Sequence, residues 1–126
     1  MSLEGVNMSG FNITDSILDT IKLKLGNTSD YNAFDTDIIT CINSALRYAN
    51  QLGVGNEGFR ISDNTSKWNE FISEEENIDE VIDYIYLRVR ILFDPPSSSY
   101  VLDSYKEAIK EMEWRMNVQE ESLNTQ

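Results

Sequence analysis

Between residues 78 and 118 apolar side chains recur at helical spacing, and the recurrence is broken once, at Asp94-Pro95-Pro96. Two consecutive prolines cannot extend an i→i−4 hydrogen-bond ladder, and a residue before proline avoids helical angles, so the break separates two helices. The first is expected over about Ile78 to Phe93, with a main stripe of Ile78, Val81, Ile82, Ile85, Val89, Leu92 and Phe93. A second apolar group, Tyr84, Leu87 and Ile91, points elsewhere, and the polar remainder is a narrow strip of Asp79, Asp83 and Arg90. Such a helix is contacted on more than one side and belongs at the centre of a bundle.

Ser97, Ser98 and Ser99 offer caps for a last helix from about Tyr100 to Val118. Its stripe of Val101, Leu102, Tyr105, Ala108, Ile109, Met112 and Met116 fits within about 120° of arc at 100° per residue. Tyr100, Trp114 and Val118 lie on the reverse side, beside Glu107 and Glu111. Either the indole rests against another helix of the same chain, or it meets a second polypeptide, where aromatics are enriched.

Upstream, Ile17, Leu18, Ile21 and Leu25 form a short helical stripe, with Thr14 or Asp15 placed to cap it and Gly26 beyond its end. A longer helix follows from Asp35, its proposed cap, through Ile38, Ile42, Ala45, Ala49 and Leu52 to Gly53. Phe34 and Ile39 have the spacing of a hydrophobic staple across that cap. Asn64 to Ile72 is expected to hold a short helix carrying Trp68, Phe71 and Ile72, and Ser73 to Asn77 an acidic connector that places Glu74, Glu75 and Glu76 before the next helix, where negative charge suits an amino terminus. Phe59 and Ile61 alternate with polar residues but supply too little for a sheet. The expected fold is all-α, a bundle of four to five helices with a central helix at about 78–93 and a long C-terminal helix at about 100–118. Residues 1–12 are set aside as a flexible leader, with Met8 as an alternative start, 13–118 as one helical domain, and 119–126 as a flexible acidic tail.

Charge and composition remove several functions. The 126 residues carry 10 Lys and Arg against 22 Asp and Glu, a net charge of −12, which disfavours sequence-specific binding of nucleic acid. Histidine is absent, excluding His-dependent triads and His-ligated metals. The single Cys41 permits no internal disulfide and is expected to be a buried, inert thiol. No run approaches the ~20 apolar residues of a membrane span.

Gly53-Val-Gly-Asn-Glu-Gly58 matches the dinucleotide pattern GxGxxG, but it follows a helix and lies in no βαβ unit, so the glycines are assigned to a turn. Asp30, Asp35 and Asp37 lack the calcium-loop register, and the consecutive Glu74, Glu75 and Glu76 diverge. The expectation is therefore no cofactor, no metal site and no catalytic residue.

The run Tyr84-Ile-Tyr-Leu-Arg-Val-Arg-Ile-Leu-Phe-Asp-Pro-Pro-Ser-Ser-Ser99, with Lys110-Glu-Met-Glu-Trp-Arg-Met-Asn-Val118, resembles the head-tail connector proteins, also called head-completion or adaptor proteins, of tailed bacteriophages and prophages. Ile17-Leu-Asp-Thr-Ile-Lys-Leu-Lys-Leu-Gly26 and Asn50-Gln-Leu-Gly-Val-Gly55 fit the same likeness, which spans about Asp15 to Val118. The resemblance implies a non-enzymatic protein that forms a ring beneath the portal protein, extends the DNA exit channel and offers a platform to a tail-side stopper or tail-completion protein. It places the protein at the virion head-tail interface, and in the host cytoplasm during assembly; free copies are permitted to be monomeric. It also implies that the region after the last helix orders on docking, which adds Asn117 and Gln119 to Tyr100, Trp114 and Val118 as candidate subunit or portal contacts. The competing reading is a small acidic DNA mimic that inhibits a DNA-processing enzyme. Its carboxylates would have to form two phosphate-like rows, and Lys106, Lys110 and Arg115 interrupt such a row on the last helix.

Overall fold

The computed structural model describes residues 11–73 and 77–124, with side chains to Asn117. The order is α1 (Ile17–Lys24), α2 (Asp35–Gln51), α3 (Trp68–Phe71), α4 (Ile78–Phe93) and α5 (Ser99–Asn124), with no strand among the described residues. The all-α bundle is as expected. Of the acidic connector expected at Ser73 to Asn77, Glu74, Glu75 and Glu76 lie outside the described residues.

α4 is the central rod and touches α1, α2 and α5. Ile78, Val81, Ile82, Ile85 and Val89 are buried, and so is Tyr84 from the second apolar group, because α5 covers that side. Leu92 departs from its stripe: it is 60% exposed, since the open end between α1, α2 and α4 leaves a groove there that it lines with Leu25, Phe34, Cys41 and Phe93. Phe34 crosses Phe93 edge-on at 5.7 Å between ring centroids.

The α1 cap is Ser16, not Thr14 or Asp15: its Oγ accepts from the Asp19 amide at 3.2 Å. Asp15 is engaged one step earlier, its carboxylate accepting from the Asn12 amide at 2.8 Å. Asp35 is the first residue of α2 rather than its cap; Phe34 holds the cap position without a side-chain bond. The Asp35 carboxylate instead meets Lys22 Nζ at 2.9 Å. Lys22, only 1% exposed, also donates to the Ser29 carbonyl and Asn32 Oδ1, so a buried ammonium ties the 27–34 turn to α1 and α2.

α3 is one turn long, shorter than the 64–72 helix expected. The backbone before it is committed elsewhere: the Ile17 amide donates to Ser66, Trp68 to Asp15, and Asn69 to Ile13. Asp63 also accepts from the Thr65 amide, forming a local turn that competes with helix. These bonds drop Trp68 into the core with no exposed surface, its Nε1 donating to Thr20 Oγ1 at 3.1 Å. Phe11 and Ile13 pack on the same core, so the folded part begins within the segment set aside as leader.

Ile61 is pinned by Asn43, whose amide side chain donates to its carbonyl at 2.9 Å and accepts from its amide at 2.8 Å. Ser98 Oγ accepts from the Val101 amide at the start of α5. That helix continues to Asn124, six residues past the boundary drawn from the sequence. Residues 119–124 contain neither glycine nor proline to stop it.

Candidate assembly surface on the last helix

α5 lies against α4 along one face. Ile109 and Met116 are buried in the seam, while Val101, Leu102, Tyr105, Ala108 and Met112 are half-buried. Polar bridges reinforce it. Glu113 Oε2 accepts from the Tyr84 hydroxyl at 2.8 Å and from Arg88 Nη1 at 2.9 Å, and Arg115 meets Glu80 at 2.6 Å. Burial, followed by the hydrogen bond to Glu113, pushes the Tyr84 phenol far above its ordinary range.

The opposite face of α5 is open. Tyr100 is 79% exposed and Trp114 67%, so among the described residues the indole rests against no other helix of the chain. Asn117 is exposed too; the Val118 and Gln119 side chains lie outside the described residues. Fourteen residues separate the two aromatics, about 21 Å at 1.5 Å per residue. Asp103, Glu107, Lys110 and Glu111 line a shallow concavity between them. Lys110–Glu107 and Arg115–Glu111 pair across this surface at 3.6 Å, in exposed positions where an ion pair contributes little. An aromatic at each end with loosely paired carboxylates between suits contact with a polypeptide better than transformation of a small molecule.

The other candidates resolve into structure. In the Gly53–Gly58 turn, Asn50 Nδ2 donates to the Val54 and Asn56 carbonyls, and Asn56 donates from its amide to Phe71 and from Nδ2 to Glu70. The turn thus clamps α2 to α3, and no strand precedes it. Cys41 is half-buried rather than buried; burial and then Asp37 raise its thiol pKa. Asp35 is held by Lys22, and no metal-sized cluster of acids is found among the described residues. A cleft carrying Arg47 and Arg60, on the α2 side, had no counterpart in the sequence reading. Its sequence signal was available: positions 43, 44, 50 and 51, the helical neighbours of Arg47, contain no acid to pair with it.

No curated protein and no solved structure matches the chain. The family model described as phage connector protein matches residues 17–123, which takes in the described helices from the start of α1 almost to the end of α5. The five-helix bundle and this match agree with each other, and the chain belongs to the phage head-tail connector family.

Proposed function

We propose that this protein is a structural adaptor: copies assemble as a ring under the portal, extend the DNA exit channel, and present a platform to the next tail-side protein. It acts by contact and turns nothing over. Family membership supports the setting, and the observation that carries the reading is the uncovered outer face of α5, with Tyr100 and Trp114 both more than half exposed. Large aromatics so exposed are characteristic of surfaces awaiting a partner, and a neighbouring subunit or the portal would supply it. The net charge of −12 serves the channel, because an anionic wall offers passing DNA no phosphate contacts and so no purchase. The DNA-mimic reading receives less support, since Lys110 and Arg115 alternate with the carboxylates on α5.

The test mixes the purified chain with portal rings and images the product by electron microscopy. Wild type is expected to add a ring of density beneath the portal. Trp114→Ala should keep the helical circular-dichroism spectrum and weaken association by about 30-fold, the loss of about 2 kcal/mol typical of a central aromatic. Wild type that ignores the portal and instead captures a DNA-processing enzyme would overturn the proposal.

A further inference from the structure

The way cations are paired singles out a second surface. Of the ten basic residues, Lys22, Lys24, Arg88, Arg90, Lys110 and Arg115 each meet a carboxylate of the same chain within 4.0 Å. Lys67, Lys106, Arg47 and Arg60 do not, among the described residues, and of these four only the two arginines share a cleft. Both are exposed and both line one cleft of about 470 Å³ between the end of α2 and the loop that follows, beside Phe59 and Glu57. The cleft is held in shape from below. Asn43 fixes Ile61, Asn50 fixes the carbonyls of Val54 and Asn56, and the Phe59 ring rests against Phe71 at 5.4 Å. Two guanidiniums on a braced wall form a receptor for carboxylates, which they bind through paired N–H donors.

The chain carries the complement on a different face. Asp103, Glu107 and Glu111 follow one another at four-residue steps on the outer side of α5, about 6 Å apart at each step, between Tyr100 and Trp114. Asp103 forms no ion pair among the described residues, and the exposed pairs of Glu107 and Glu111 at 3.6 Å exchange at little cost. We infer that the Arg47–Arg60 cleft of one copy receives the Asp103–Glu107–Glu111 row of the next. The two surfaces differ, so the contact is heterologous, head to tail, and repeats around a ring. This rests on the ring reading above and names the contact that would build it. DNA is the poorer occupant: two arginines beside Glu57 would neutralise at most about two phosphates, within a chain of net charge −12.

Charge reversal tests the pairing. Variant A carries Arg47→Glu and Arg60→Glu; variant B carries Glu107→Arg and Glu111→Arg. Each should keep wild-type helicity and lose association with its own kind by about 100-fold, as for reversed close charge pairs at an interface. An equimolar mixture of A and B should recover it, because each cleft then faces a row of opposite sign, and native mass spectrometry should show A and B together in every assembly. Association is read both on portal rings and by sedimentation of the chain alone. Folded variants that assemble like wild type, or a mixture that fails to recover, overturn the inference while leaving the ring standing. Recovery of A·B pairs in solution, with no wild-type ring on the portal, supports the contact and removes the ring reading. Wild type that neither sediments above a monomer nor rings on the portal overturns both. Loss of duplex binding by variant A, with association unchanged, would assign the cleft to DNA and overturn the inference.

Discussion

Adding a single methyl group at Gly55 tests whether the glycine-rich turn is a packing device. A Cβ built there would lie 2.3 Å from Cε1 and Cζ of Phe71, a ring with no exposed surface. The backbone at this point is left-handed, φ +81°, which costs a non-glycine residue about 1–2 kcal/mol. Forcing a carbon into a filled site adds about 1–3 kcal/mol, because Phe71 cannot retreat without pushing on Phe59. Gly55→Ala should therefore destabilise the fold by about 2–5 kcal/mol, a large share of the roughly 5–15 kcal/mol a domain possesses. Gly58 supplies the control: its φ is +80°, but nothing lies within 4 Å of the added Cβ. Gly58→Ala should lose only the backbone part, about 1–2 kcal/mol. Urea unfolding followed by circular dichroism measures both, with unchanged slopes required before the midpoints are compared. On heating, the gap should appear as about 4–12 °C. Equal destabilisation of the two variants would refute the reasoning, since it would mean that the Phe71 contact contributes nothing.

Three further outcomes are expected. Because the Tyr84 phenol titrates above its ordinary value of 10.0 in the folded protein, the unfolded chain loses that proton first as pH rises. The associated stability is present below about pH 10 and lost above it, so Tyr84→Phe should flatten the alkaline fall in urea midpoint; an unchanged slope would show that the phenol is not held. Replacing Lys22 by Met strands Asp35 and two polar groups of the 27–34 turn, and should lower stability by about 3–5 kcal/mol, as breaking a buried pair does; a neutral result by calorimetry would place the ammonium in water. The chain has two tryptophans, one fully buried and one 67% exposed, so neutral acrylamide should quench one component of the emission strongly, and Trp114→Phe should remove that component only.

How far the sequence disclosed the molecule depended on whether the deciding contacts were local. α4 begins and ends at the residues expected, because the double proline and the stripe from Ile78 are properties of the segment itself. Tyr84 was legible as a second apolar side, and α5 covers it. α3 was not legible at its true length, since its limits are set by bonds from residues 66–69 to residues 13–17, some fifty positions earlier. Lys22 was missed because a lysine among apolar helix positions looks like a solvated charge until the turn at Ser29 and Asn32 folds back over it. Trp114 stayed undecided for a related reason: the pattern of one helix places a side chain on a face but does not say whether another helix covers that face. Among the described residues the cover is absent because α5 has one principal neighbour, α4.

That single neighbour also divides the fold energetically. The largest fully buried side chains, Trp68, Tyr84, Phe71 and the isoleucines among them, all belong to α1, α2, α3 and α4; among its described side chains α5 buries Ile109 and Met116, each 5% exposed. The polar bridges from Glu113 and Arg115 fix the position of α5 more than they deepen its attachment, since ion pairs in partly exposed seams contribute little net energy. The body from α1 to α4 therefore carries the stability, and α5 is the element with most to gain from a partner. The adaptor proposed above draws on this division: a core that persists before assembly, and a helix whose aromatic and acidic outer face is left for a partner.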